Sequence, residues 1–343
     1  MEFGISMFGD LYIDPNTGAV QAPQKRLQEM LEEVKLMDQV GLDYFGIGEH
    51  HRQDYAVSSP QMLLSAAASI TQNIKLGSAV SVLSSTDPVR LFQEFAMLDL
   101  ISNGRAEIMA GRGSFIESFP LFGYNLDDYN ALFEEKLELL LELNKNESVR
   151  WEGSFRAPLF DQKVYPRPSK ETLPIWIAVG GTPASVVRAA KLGLPLMIAI
   201  IGGAPRQFSP LFDLYKKVYQ EHGHDPKKMQ IGIHAHALFA ADEEVLDKDY
   251  FPLYAAQMDR IGQSRGWPAY SKQQYAYGKS SMGALFIGEP NAIAEKILQV
   301  QNMFGLTRFA AHMDVGAPSH KQIMQAIELY GDKIIPQVKA ALP

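Results

Sequence analysis

The chain has 343 residues, 46% of them hydrophobic, and carries 32 basic against 39 acidic side chains, a net charge of −7. That balance disfavours nucleic acid as a partner, because neutralising phosphates needs a basic face. The absence of cysteine excludes a disulfide framework, a zinc–thiolate site and a thiol nucleophile together.

Strand-like and helix-like stretches alternate along the chain. An apolar strand over 2–8 precedes a helix over 24–41, in which Leu27, Leu31, Val34 and Met37 recur at helical spacing and Gly41 is the stop. A second strand, 43–48, runs straight into Glu49, His50 and His51, and the next helix, 60–72, opens at a proline. Strands over 74–83 and 105–111 then alternate with helices over 88–102 and 130–144. A polar excursion at 145–173 leads to strand 174–180, helix 183–193, strand 194–200 and a helix near 207–222. Strand 230–240, helix 290–304, strand 307–314 and helix 319–330 complete the series.

Eight strand-then-helix units with short, continuously apolar strands predict a (β/α)8 TIM barrel, an α/β fold whose strands are covered on both faces. No Gly-x-Gly-x-x-Gly follows a strand, which argues against an open dinucleotide-binding sheet. A single domain is expected over 1–343, with insertions near 145–173 and 251–284 and a smaller one at 9–23. The stretch 260–284, rich in Gly, Ser, Gln and aromatics, has the composition of a mobile lid. The first residues do not resemble a signal peptide, and no apolar window approaches the ~20 residues that span a bilayer. A soluble, cytoplasmic protein without membrane or nucleic-acid partners is expected.

Chemistry in such barrels gathers at the C-terminal ends of the strands. After the fifth strand, Gly180 and Gly181 precede Thr182 as a helix N-cap and Pro183 at the first helical position. Free N–H groups and the helix dipole there make an anion site, or else an ordinary well-capped turn. Arg112, between two glycines after the fourth strand, would hold a phosphate or form a rim salt bridge. His234 and His236 share a strand face, as do His312 and Asp314, so a metal-dependent barrel hydrolase built on that quartet is an alternative. His50 would carry a proton with Glu49 fixing its orientation, unless Glu49 is a buried carboxylate satisfied by backbone N–H groups and Arg52.

Taken in order, the series resembles the flavin-dependent luciferase-like monooxygenases, the family of the bacterial luciferase α chain. The residues that carry it are the strand ending in "EHH", "IKLGSAVSVLSSTDPVRLFQEFAMLDLISNGRAEIMAGRG" (74–113), "PIWIAVGGTPASVVRAAKLGLP" (174–195), "IGEPNAIAEKI" and "IELYGDKIIPQVK". The resemblance implies a barrel that binds FMN at the strand ends. It places the phosphate on Gly180, Gly181 and Thr182 with support from Arg112. The ring would lie against Ser78, Ala79 and Val80, where the family often has a cis non-proline peptide, and His50 takes the catalytic-base position beside Glu49. It further implies reduced FMN supplied by a separate NAD(P)H-dependent flavin reductase, reaction with O₂ on a small organic substrate, no metal, and a homodimer formed through early helices such as 91–100. An aromatic mouth (Met7, Phe8, Tyr12, Phe115, Phe119, Phe122) and the lid would keep the site dry. Gly111 stands where luciferase has a reactive cysteine and Gly180 where it has a glutamate, so light emission is not implied. Relatives using a deazaflavin, and flavin-binding relatives without turnover, share the same features.

Overall fold

Each apolar run in the sequence becomes a strand, and the strands close on one another. The structure is a computed structural model that describes residues 1–113, 115–263 and 265–342. In chain order the units are β1 (Glu2–Met7) and α1 (Pro23–Gln39), β2 (Tyr44–Ile47) and α2 (Pro60–Ile70), β3 (Lys75–Ser78) and α3 (Pro88–Ile101), then β4 (Ala106–Gly111) and α4 (Tyr129–Lys145). They continue with β5 (Ile175–Val179) and α5 (Pro183–Lys191), β6 (Leu196–Ala199) and α6 (Ser209–Glu221), β7 (Ile231–Phe239) and α7 (Pro290–Phe304), and β8 (Arg308–His312) and α8 (His320–Leu329). Every ladder between successive strands is parallel, and β8 pairs back with β1, with Ser6 opposite His312. This is the closed (β/α)8 barrel that the alternation predicted.

Local chemistry sets the helix starts. Proline at the first position opens α1, α2, α3, α5 and α7, where its missing N–H costs nothing. Asp87 caps α3 by accepting from Val89 and Arg90 N–H, both at 3.0 Å. The expected strand 74–83 is interrupted after Ser78. The Ala79–Val80 peptide is cis, and the ladder resumes as Ser81–Val82 beside β4. In α3, Leu91, Phe92, Phe95, Ala96 and Leu98 turn inward, so the expected dimer stretch 91–100 presents Met97 and Leu100 outward.

The excursion 145–173 contains an antiparallel hairpin, Ser148–Trp151 with Leu159–Lys163. Between β7 and α7 stand helices Phe251–Gln263 and Lys272–Lys279. The expected lid 260–284 therefore divides, and its Ser264 lies outside the described residues. Ile261, Arg265 and Trp267 face the barrel mouth. Beyond them Tyr275 is buried with its hydroxyl on Leu246 C=O (3.2 Å). Lys296 of α7 donates to the carbonyls of Gly278, Ser280 and Leu285, which ties that later part down.

Candidate active site

The C-terminal ends of the strands surround a cavity of about 340 Å³, a size usual for small-molecule sites. One corner lies between β4 and β5. There Arg112 donates to Thr182 Oγ1 (3.2 Å) and to Asn130 Oδ1 (2.7 Å), and its guanidinium lies over the Tyr129 ring. The Thr182 side chain makes no capping bond to α5, which leaves the first-turn N–H groups without the usual side-chain acceptor. A Cβ on Gly180 or Gly181 would meet nothing within 4 Å, and Gly181 has φ +121°, so the backbone is open to close approach. Gly180 and Thr182 line the cavity, whereas Gly181 is not part of its wall.

The floor is the end of β3. Ala79 and Val80 line the cavity, and the cis peptide lies between them, at the position the resemblance indicates. Gly111 supports this arrangement, since a Cβ there would come within 2.6 Å of Val80 Cγ2. Ser78 does not reach the cavity. It is fully buried, with Oγ bonded to Met109 N–H (3.0 Å) and C=O (3.1 Å), and so joins β3 to β4 behind the wall.

The opposite side holds the histidines. His50 stacks on Tyr55 (4.2 Å between centroids) and packs against Phe8 and Phe115. Burial in this nest, and after it the neighbouring His312, push its pKa down to about 3, so it is neutral at ordinary pH. Burial likewise lowers His234 and His236 well below the usual range. Glu49 does not orient His50 as expected. Its carboxylate accepts from Val82 N–H (2.9 Å) and meets His51 Nε2 (3.0 Å), because neighbouring side chains leave the strand end in different directions. Arg52 pairs with Asp54 rather than with Glu49.

The quartet considered for a metal does not converge. His234 is bonded to Ser6 (3.0 Å) and His236 to the Tyr254 hydroxyl (2.9 Å). Among the described residues, the ionisable group close enough to share an ion is Asp10, His312 and Asp314, within 4.8 Å. Asp314, however, accepts from the N–H groups of Phe8, Gly9 and Asp10, meets His312 Nε2 at 3.1 Å and faces Arg26 at 3.6 Å, so its oxygens are already committed. Burial opposes its ionisation, but His312, Arg26 and the Phe8 N–H bring it down to about 2.

Of the expected mouth, Phe8 and Phe115 line the cavity. Met7 and Phe119 are core residues, while Tyr12 and Phe122 are exposed. Sequence reasoning missed Asp10, Tyr55, Gln257 and Met258, all of which line the wall. Asp10 had a readable signal, an acidic residue just past the first strand. Gln257 had none, since it arrives from an inserted helix to donate to the Tyr55 hydroxyl (3.0 Å).

Known proteins share this fold. The sequence profile of the luciferase-like monooxygenases matches residues 1–307. The monooxygenase RslO1 of Streptomyces bottropensis is 24% identical and superposes with a TM-score of 0.82 over 98% of this chain and 99% of its own. The oxygenating constituent of 3,6-diketocamphane monooxygenase of Pseudomonas putida, solved in complex with FMN, is 19% identical, with a TM-score of 0.76 over 98% and 99%. The coenzyme F420-dependent tetrahydromethanopterin reductase of Methanopyrus kandleri is 20% identical, with a TM-score of 0.72 over 98% and 99%.

Proposed function

The chain belongs to the luciferase-like monooxygenase family, and on that premise we propose that it is an FMN-dependent monooxygenase acting on a small organic substrate. One observation carries the reading. Neutral His50, the Ala79–Val80 pair, Arg112, and Gly180 with Thr182 follow β2, β3, β4 and β5, four adjacent staves, and all border one cavity. A mononucleotide laid across that mouth would meet them in turn.

The donors fit such a group. Arg112, the Thr182 hydroxyl and the open glycine turn would hold a phosphate. Ala79 and Val80 offer a small apolar surface for a flat ring, with no side chain at Gly111 to intrude. Bound FMN in its reduced form would supply the electrons that activate O₂. His50, uncharged in its aromatic nest, would take or return a proton at the substrate. Phe8, Tyr55, Phe115 and the helix bearing Gln257 and Met258 would keep water out. In this reading a separate NAD(P)H-dependent reductase supplies reduced FMN. The exposed Met62, Met97, Leu100 and Ile101 on neighbouring α2 and α3 would face a second copy of the chain.

The test is an anaerobic spectroscopic titration of the purified protein with reduced FMN, followed by mixing with O₂. Saturable binding and an altered course of oxidation support the proposal, and preferential binding of reduced coenzyme F420 would replace FMN by a deazaflavin. Absence of flavin binding overturns it, and binding with oxidation kinetics that are the same in wild type and His50→Ala would reduce the protein to a flavin carrier.

A further inference from the structure

The imidazole assigned above as the proton carrier is held by aromatic rings. Glu49, its neighbour in the chain, is engaged by Val82 N–H and His51, and Nδ1 of His50 has no hydrogen-bond partner among the described residues. Instead the Tyr55 ring lies nearly parallel to the imidazole, 4.2 Å away at 20°. Phe8 tilts against it at 4.6 Å, and Phe115 meets it edge-on at 5.2 Å. A stacked ring fixes an imidazole only as well as it is fixed itself, so the orientation of His50 depends on what holds Tyr55.

The Tyr55 backbone is fixed locally, by its N–H on Arg52 C=O (3.2 Å) and by the antiparallel bridge between Tyr55 and Asp10. Its ring is fixed from the far end of the sequence. The hydroxyl accepts from the Gln257 side-chain amide at 3.0 Å, across 202 positions of chain. Gln257 is 2% exposed, and its amide can point only one way. Arg260 donates to Gln257 Oε1 through Nε (3.1 Å) and also through Nη2. A guanidinium has no acceptor, so the amide oxygen must face it and the amide NH₂ must face Tyr55. Tyr254 and Gln257 stand three residues apart on helix Phe251–Gln263 and are therefore neighbours on its surface. The Tyr254 hydroxyl meets His236 Nδ1 at 2.9 Å, so two side-chain hydrogen bonds seat the inserted helix on the mouth.

We propose that Tyr55 and Gln257 are positioning residues for His50: Gln257 of the inserted helix holds the Tyr55 hydroxyl, and the Tyr55 ring holds the imidazole at the cavity. The pair supplies the orientation that the sequence assigned to Glu49. Proton transfer needs its donor and acceptor within hydrogen-bond reach of each other, so a loosened imidazole loses rate even where its surroundings are otherwise intact. His50 is correctly set only while the inserted helix is seated, and an element that walls the cavity thereby also sets its proton carrier. The inference rests on His50 carrying a proton in a flavin site, and it adds how that group is oriented.

The experiment uses the full chain and its Gln257→Leu, Tyr55→Phe and Tyr55→Leu variants, alone and combined with His50→Ala. Oxidation of bound reduced FMN is followed after mixing with O₂ and expressed per FMN-binding site, and FMN affinity is measured on the same samples. Gln257→Leu and Tyr55→Phe should each slow oxidation by about 10–10²-fold, the scale of a misplacement of ~1 Å, with FMN affinity unchanged. In the His50→Ala background the same two substitutions should have no further effect, because they act through the imidazole. Proton resonances of the His50 ring, identified by their loss in His50→Ala and recorded without flavin, should move downfield in Tyr55→Leu, which removes the stacked ring. They should move in the same direction in Gln257→Leu. Oxidation as fast in Gln257→Leu as in wild type, a slowing that persists in the His50→Ala background, or His50 resonances unmoved by Gln257→Leu would overturn the positioning. Oxidation unaffected by His50→Ala itself would instead overturn the reading of His50 as the proton carrier, while the ring resonances still report whether Gln257 and Tyr55 orient it.

Discussion

The two ends of the barrel use similar side chains to opposite effect. At the lower end Arg308, 1% exposed, lies between the rings of Tyr44 (4.4 Å) and Trp176 (4.2 Å) and pairs with Glu2 and Glu107. Each charge there has its partner, and the cluster plugs the barrel. At the upper end His50, His312 and Asp10 are also buried, yet they line a cavity that no residue of the lower cluster reaches. Burial of polar groups does not by itself mark a functional site. The distinguishing feature is whether the buried groups border a cavity that a ligand can enter or are closed in by their own ion pairs.

That contrast can be broken in several ways. The largest effect is expected at His50. His50→Ala should slow flavin-coupled oxidation by ~10²–10⁴-fold, the usual range for a lost general acid or base, with FMN affinity nearly unchanged in a binding titration. Arg308→Leu should do the reverse. Leaving Glu107 buried without its cation costs about 3–5 kcal/mol in urea unfolding, while the protein that remains folded binds FMN as before.

A smaller effect follows from protonation. His50 titrates at about 3 in the folded protein and near 6.5 when unfolded, so the unfolded chain takes up the proton first on acidification. Its contribution to stability is complete above pH ~6.5 and is lost as the pH falls toward 3. His50→Gln should therefore lose less stability than wild type between pH 7.5 and pH 5, read from urea midpoints. The smallest effect is expected behind the wall. Ser78→Ala should cost ~1–3 kcal/mol through the unpaired Met109 N–H and leave FMN affinity unaltered. A change in affinity there would erase the distinction between wall and backing.

The barrel was legible in the sequence because its strands are buried on both faces and its helices announce themselves with proline. The corner proposed for a phosphate could be located from the sequence, since Gly180, Gly181, Thr182 and Arg112 sit at strand ends with recognisable turn chemistry. Residues brought from elsewhere were not. Gln257 and Met258 reach the cavity from an inserted helix whose docking depends on tertiary packing, and Glu49 turns to Val82 and His51 because the strand end sets its direction. Ser78 looked like part of the floor, yet the register between β3 and β4 faces it inward.

The most direct measurement of the central claim, that one mononucleotide spans the mouth from Arg112 and Thr182 to His50, compares FMN with riboflavin, which lacks the phosphate. Calorimetry should find FMN bound at least tenfold more tightly by wild type, with the difference collapsing in Arg112→Ala. Equal affinities for the two flavins, or a difference that persists in Arg112→Ala, would contradict the account.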